Sequence, residues 1–245
     1  MIAILLTLLA GRAWAESAGM AVGVKQNIKA DLFTPDGPGP FPAILVLETS
    51  RGLNNNDLAY AQALVRQGYV CLVPAYLETY SLGDVNRTTG FTTEANHLYA
   101  DLADAADRLA RSDKVRGRKV GVVGFSNGGF FATWLAATHK VDAAVSYYGA
   151  LSGAGTDREL SRFKAVFNAD SAPLLLLVGT EDNYRRATRH LMDIMREANS
   201  PFQARFYPGA HHEFDRTGGG EADRAAAADA WTRSVAFFAQ YLKPP

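Results

Sequence analysis

A serine between two glycines is the residue best placed to do chemistry. Gly-Phe-Ser-Asn-Gly at residues 124–128 follows an apolar run at 120–123 and precedes an apolar stretch at 129–137. The first run is typical of a buried parallel strand, and the second of a buried helix. A serine at so sharp a strand-to-helix turn is strained, and bulky neighbours two residues away would collide. The pattern therefore predicts that Ser126 is a nucleophile, against the alternative of a solvated serine in a glycine-rich turn.

Two later loops carry an acid and a base. Asp182 follows an apolar run at residues 174–178, and His212 follows a shorter run at 202–207. Because the carboxyl ends of parallel strands meet at one edge of a sheet, we expect both side chains to lie near Ser126. An imidazole can take the serine proton and return it to the leaving group, while a carboxylate fixes the imidazole tautomer. The sequence thus predicts a triad in the chain order of α/β-hydrolases.

Neighbouring side chains leave alternatives for two members of this triad. Glu181 stands beside Asp182 and could be the acid, and His211 stands beside His212 and could be the base. Adjacent loop residues point in different directions, so we expect only one histidine to face Ser126. The histidine pair lacks the spacing of helical metal ligands, and no HExxH or cysteine-rich partner accompanies it. We predict neither a metal nor a cofactor.

Hydrolysis of an acyl bond also requires donors for the negatively charged oxygen that forms on attack. Each donor is typically worth about 3 to 4 kcal/mol of transition-state stabilisation. The backbone N–H of Asn127, directly after the nucleophile, is the first predicted donor. The loop after the apolar run at 43–47 should supply the second, from Thr49 or its neighbour Ser50.

The elements that must position these loops alternate along the chain. Apolar runs predict central strands at 43–47, 69–74, 120–125, 141–148, 174–179 and 202–207, after one or two edge strands within 20–33. Helical periodicity predicts helices at about 57–67, 93–111, 129–139, 157–168, 184–198 and 221–242, and residues 75–91 are predicted to form a loop. This order predicts a mostly parallel sheet covered by helices on both faces, in one α/β domain spanning residues 16–245.

Composition limits the classes of partner. The chain has 245 residues, of which 48% are hydrophobic, and 25 basic residues balance 25 acidic ones. No basic face is therefore predicted for nucleic acid. Cys71 is the single cysteine, so an internal disulfide is impossible and we interpret it as a small buried hydrophobe.

The first fifteen residues have the pattern of a secretory signal. A short apolar run ends in Ala13-Trp14-Ala15, although no Lys or Arg precedes that run. It is too short for a stable membrane anchor. We predict cleavage after Ala15 and a mature protein in the periplasm or outside the cell.

Four motifs together resemble the dienelactone hydrolase family. They are Gly-Phe-Ser-Asn-Gly-Gly at 124–129, Tyr-Tyr-Gly at 147–149, Gly-Thr-Glu-Asp at 179–182 and Tyr-Pro-Gly-Ala-His-His-Glu-Phe at 207–214, within a similarity over roughly residues 25 to 242. The resemblance implies that Asp182 is the acid, that His212 is the base and that His211 is its variable neighbour. It also matches Glu48 to the family's glutamate next to the nucleophile.

The chain departs from the archetypal members of that family at three points. Serine replaces cysteine as the nucleophile, Glu213 replaces the glycine after the histidine, and the Glu48 loop is one residue longer. The resemblance nevertheless implies a hydrolase that forms an acyl-enzyme with a small-molecule ester or lactone. The alternatives are a peptidase or amidase on the same triad, and a secreted binding protein that keeps the fold without turnover. Arg51 and Arg87 could meet a substrate carboxylate, but we predict them to be solvated cations.

Overall fold

One sheet organises the protein. The computed structural model describes residues 17–82, 94–150, 156–216 and 218–243. Within them, eight strands form a sheet in the order β1-β2-β4-β3-β5-β6-β7-β8. The strands are β1 (Ser17–Val22), β2 (Ile28–Phe33), β3 (Phe41–Leu47), β4 (Val70–Pro74), β5 (Val115–Phe125), β6 (Ala143–Tyr147), β7 (Leu174–Gly179) and β8 (Phe202–Tyr207). Strands β3 to β8 run parallel to one another, whereas β2 pairs antiparallel with both β1 and β4 at one edge.

Helices cover both faces of this sheet. They are α1 (Asn55–Arg66), α2 (Tyr76–Thr79), α3 (Ala95–Ala110), α4 (Asn127–Ala137), α5 (Thr156–Val166), α6 (Arg185–Glu197) and α7 (Glu221–Leu242). Apolar side chains of α3 to α6 pack in one core, and those of α1 and α7 pack in a second core on the opposite face. The predicted mostly parallel sheet with helices on both faces is confirmed.

The continuous apolar runs follow from burial on both faces. Along β3, Ala43, Leu45 and Leu47 enter the first core, whereas Ile44 and Val46 enter the second. Successive side chains of a strand point to opposite faces, so a strand between two helix layers must be apolar at every position. Burying each such Val, Leu or Ile side chain stabilises the folded state by about 1.5–3 kcal/mol. This burial holds the strands in place, and the polar loops follow their ends.

Most predicted elements lie where the sequence pattern put them, with one clear exception. The segment 75–91 was expected to be a loop, but α2 occupies its beginning. A four-residue helix is too short to produce a detectable 3.6-residue period, and tertiary contacts described below hold it. The predicted helix caps Thr92 and Thr93 lie outside the described residues, and α3 begins at Ala95.

The predicted signal segment lies largely outside the described residues, so cleavage after Ala15 stays a prediction. In the part of the chain that the structure describes, no helix combines the length and the apolar character needed to cross a membrane.

Candidate active site

The turn that carries Ser126 joins β5 directly to α4. Ser126 has φ 52° and ψ −106°, a conformation that non-glycine residues rarely adopt. A Cβ atom on Gly124 would lie 2.0 Å from the carbonyl oxygen of Gly128, so any side chain there would force the turn apart. The strain is held by backbone hydrogen bonds: the Ser126 N–H donates to Tyr147, and its carbonyl accepts from Phe130.

The structure brings the three predicted polar side chains into one hydrogen-bonded row. His212 Nε2 lies 3.0 Å from Ser126 Oγ, and His212 Nδ1 lies 2.8 Å from Asp182 Oδ2. Ser126 is 6% exposed and Asp182 is fully buried, whereas the His212 side chain is 29% exposed. This arrangement can move a proton from the hydroxyl to the imidazole, with the carboxylate stabilising the imidazolium.

Asp182 is held by its own loop after β7. The backbone N–H of Tyr184 donates to Asp182 Oδ1 at 2.7 Å, which leaves Oδ2 for the imidazole. At Gly179, a Cβ atom would lie 2.1 Å from the Ala210 carbonyl oxygen. The absence of a side chain at Gly179 therefore lets the loop that carries His212 approach the end of β7.

The neighbouring acid and base candidates have different partners. The exposed carboxyl group of Glu181 accepts a hydrogen bond from the Thr180 hydroxyl at 3.2 Å. The His211 ring is 66% exposed, and its Nδ1 lies 3.3 Å from a carboxylate oxygen of Asp223. Of the two alternative pairs, only Asp182 and His212 are brought to Ser126.

Two tyrosine rings enclose the imidazole of His212. The ring centroids of Tyr148 and Tyr184 lie 4.8 Å and 5.0 Å from that of His212, both edge-on. Aromatic contacts of this geometry restrict ring rotation as well as burying apolar surface. They therefore hold the imidazole between its two hydrogen-bond partners.

The loop after β3 lies against the start of α4. The Glu48 carbonyl accepts the Gly128 N–H at 3.1 Å, and the Tyr76 hydroxyl lies 3.0 Å from the same carbonyl. Thr49 and Asn127 are 2% and 4% exposed. Within the described residues, neither of their backbone N–H groups donates a hydrogen bond. Two buried backbone N–H groups near the serine turn therefore have the chemistry to donate to a negatively charged oxygen.

Tyr76 lies at this site, although no sequence motif singles it out from the other aromatic residues of segment 75–91. Its hydroxyl also lies 3.1 Å from Asn127 Oδ1, and its ring is fully buried. Since a hydroxyl carries one proton, it donates either to the Glu48 carbonyl or to the amide oxygen at a given moment. Both contacts join α2 to the serine turn, which explains why a short helix forms there.

The Glu48 side chain turns toward α2. Its Oε1 accepts the Leu77 N–H at 2.8 Å, and Oε2 is buried with no hydrogen-bond partner among the residues that the structure describes. Burial raises the pKa of Glu48 to about 8, and the Leu77 hydrogen bond only partly offsets this. The carboxyl group is therefore largely protonated at neutral pH.

This shifted pKa predicts a measurable pH dependence of stability. The folded protein keeps the Glu48 proton up to about pH 8, whereas the unfolded chain loses it near the reference value of 4.5. The free energy of unfolding should therefore fall as pH rises through that window, by up to about 1.4 kcal/mol per pH unit from this group. Glu48→Gln, which keeps an acceptor for Leu77, should show a smaller loss between about pH 5 and pH 8 in urea unfolding.

A matched control is Glu181→Gln, which removes an exposed carboxyl group and should keep the wild-type pH dependence. Equal pH dependence in Glu48→Gln and the wild-type protein would contradict the assignment of a buried, protonated Glu48.

A buried charged cluster braces the loop after His212. Arg216 Nη2 lies 2.9 Å from Asp57 Oδ1 on α1, and the Arg216 Nε donates to the Tyr148 hydroxyl at 3.3 Å. The Tyr148 hydroxyl in turn donates to Asp215. Burial raises the pKa of both Asp57 and Asp215, and the Arg216 charge opposes that rise. No sequence motif marks this cluster, because Asp57 and Tyr148 are far along the chain from Asp215 and Arg216.

Aromatic and cationic side chains of the loops around the site have their own partners. Tyr148 is buried in the cluster, and the Tyr80 hydroxyl donates to Asp101 at 2.6 Å. Arg51 is exposed, as expected for a solvated cation, and its Nη2 also lies 3.0 Å from Glu213 Oε2. Arg87 and Phe91 lie outside the described residues.

A parallel sheet with a strained serine between strand and helix defines the class of α/β-hydrolases. The sequence profile of the dienelactone hydrolase family matches residues 28–242. The chain belongs to this family and is a hydrolase.

Known proteins with similar sequences or folds fit this assignment. Carboxymethylenebutenolidase of Pseudomonas putida is 31% identical over 218 residues, which cover 84% of this chain and 89% of that protein. A dienelactone hydrolase from Anabaena variabilis has the same fold, with a TM-score of 0.68 at 22% identity over 94% of this chain and all of that one. The fold is also found in an acylaminoacyl peptidase, with a TM-score of 0.74 at 14% identity over 94% of this chain and 42% of that one.

Proposed function

We propose that this protein hydrolyses carboxylic esters or lactones through a covalent acyl-enzyme on Ser126. The observation that carries the proposal is the continuous row from Ser126 Oγ through His212 to Asp182, with contacts of 3.0 Å and 2.8 Å. A serine hydroxyl is a poor nucleophile at neutral pH unless a base of this kind removes its proton.

In the acylation step, Ser126 Oγ attacks the carbonyl carbon while His212 Nε2 takes the hydroxyl proton. A tetrahedral intermediate forms, and its negative charge resides on the former carbonyl oxygen. The intermediate collapses by breaking the bond to the alcohol oxygen, which receives the proton from His212. Asp182 stabilises the imidazolium through Nδ1 during both transfers.

The backbone N–H groups of Asn127 and Thr49 are the proposed donors to that oxyanion. Both are buried, and within the described residues neither has another acceptor. Asn127 is also the first residue of α4, where the helix dipole favours negative charge. Preorganised donors of this kind need no rearrangement as the charge develops.

Deacylation repeats the same chemistry with water in place of the serine hydroxyl. His212 takes a proton from water, the resulting hydroxide attacks the acyl carbon, and Ser126 leaves with the returned proton. The products are a carboxylic acid and the regenerated enzyme.

The proposed substrate class includes lactones as well as open-chain esters. The Pseudomonas putida relative is named for a butenolide, which is an unsaturated lactone. In this chain a serine takes the nucleophile position. Serine and cysteine both form acyl-enzymes. The proposed substrates are therefore defined by the ester or lactone bond that breaks, and not by one compound.

A fluorophosphonate probe tests the proposal directly. The folded protein should be labelled on the peptide that contains Ser126, and heat-unfolded protein should not react. The same preparation, assayed on short-chain nitrophenyl esters, five-membered lactones and peptide amides, should turn over the first two classes. Absence of labelling on folded protein would favour a binding protein without turnover, and faster cleavage of amides than of esters would favour a peptidase.

A further inference from the structure

A pocket lies beside the proposed oxyanion loop, and its wall carries charge. The pocket has a volume of about 450 Å³ and is lined by the loop after β3, with Ser50, Arg51 and Gly52, and by α2, with Leu77 and Glu78. Ser50 follows the proposed oxyanion donor Thr49 directly. The pocket therefore adjoins the loop that carries the proposed donor.

Arg51 supplies the positive charge of that wall, but it is already paired. Its Nη2 lies 3.0 Å from Oε2 of Glu213, the residue directly after His212. The ion pair thus joins the loop of the proposed oxyanion donor to the loop of the proposed base. Since Glu48 has its pKa raised by burial to about 8, it is largely uncharged at pH 7 and leaves the local charge to Arg51, Glu213 and Glu78.

Backbone conformation makes a glutamate at position 213 unusual. Glu213 has φ 61°, in the left-handed region where glycine is least strained. The Arg51 side chain is 65% exposed, and so exposed an ion pair adds little to stability. Stability therefore does not account for the residue, but Glu213 follows His212 directly and pairs with Arg51 on the loop of the proposed oxyanion donor.

We propose that Glu213 acts as a charge filter, because it neutralises Arg51 and so directs the site toward esters whose neighbouring groups are uncharged. A carboxylate-bearing substrate must compete with Glu213 for the guanidinium and is repelled by Glu213 itself. This inference rests on the proposed ester hydrolysis, since it names the specificity of the same site.

The test compares two esters of similar size, nitrophenyl butyrate and the mono-nitrophenyl ester of succinate, which carries a free carboxylate. Wild-type protein should prefer the butyrate. In Glu213→Gly, the ratio of kcat/KM for succinate to that for butyrate should rise by about five- to tenfold, and more at low salt than at high salt. Glu213→Gln, which keeps the side chain and removes only the charge, should shift the ratio in the same direction.

Two further variants separate the filter from general changes in charge. Adding Arg51→Met to Glu213→Gly should abolish the gain on succinate. Glu197→Gln removes an equal charge from the exposed end of α6 and should leave the ratio unchanged. A ratio that stays at the wild-type value in both Glu213 variants, or a gain that persists without Arg51, would overturn the proposal.

Binding measurements distinguish failure of the filter from failure of the proposed reaction. If wild-type protein hydrolyses neither ester and Ser126 takes no label, ester hydrolysis is wrong. Calorimetric titration with glutarate then tests the filter alone. Tighter binding to Glu213→Gly than to wild-type protein supports it, and equal affinity overturns it.

Discussion

Ser126→Ala should lower kcat for an activated short-chain ester by a factor of about 10⁴ or more. The substitution removes the atom that would form the covalent bond, and leaves His212 with no hydroxyl proton to accept at its Nε2. Alanine can occupy the same strained backbone position, because φ 52° is no worse for alanine than for serine. The loss should therefore be chemical, with circular dichroism and the unfolding midpoint close to those of wild-type protein.

Ser112→Ala is a matched control for this variant. Ser112 lies in the turn between α3 and β5, at the opposite end of β5 from Ser126, and its hydroxyl accepts only a local backbone hydrogen bond from Lys114. Its kcat should match that of wild-type protein. Wild-type turnover in Ser126→Ala would instead remove Ser126 from the role of nucleophile.

His212→Ala should lower kcat by a similar factor of about 10⁴, whereas His211→Ala should change it by less than about threefold. The two residues are adjacent, but their rings have different partners. His212 joins Ser126 to Asp182, whereas His211 lies beside Asp223 on the protein surface. Steady-state kinetics on one ester, measured with both variants at the same pH, checks the difference.

A double variant makes this comparison sharper. If Ser126 and His212 act as one unit, Ser126→Ala combined with His212→Ala should be no slower than either single variant. Losses that multiply would show that the two residues act independently. A larger effect for His211→Ala than for His212→Ala would exchange the two roles.

The parts of the molecule that could be predicted from sequence are those fixed by local rules. The β8 strand and the α7 helix lie at the predicted boundaries, 202–207 and 221–242. The serine turn was predictable because steric exclusion at Gly124 leaves few alternatives. Parallel strands place the loops at their carboxyl ends along one edge of the sheet. Asp182 and His212 could therefore be expected near Ser126 from the sequence.

The parts that could not be predicted depend on pairs of side chains far apart in the chain. Arg51 meets Glu213, and Arg216 meets Asp57, only after the sheet has formed. No local pattern marks a charged residue as buried or paired, since isolated charges are mostly solvated. The short helix α2 was missed for a related reason, because contacts of Tyr76 with the serine turn stabilise it rather than its own sequence.

The histidine of the candidate site depends on the most peripheral parallel strand. β8 pairs with β7 alone, and the loop that follows it carries His212. Peripheral elements commonly open at lower free energy than central ones, so we expect β8 to separate from the sheet before β3, β5 or β6 does. The central strands therefore determine the free energy of global unfolding. The pairing of β8 with β7 determines whether His212 lies beside Ser126. A molecule of this fold can thus keep its central sheet and still lack an assembled candidate site.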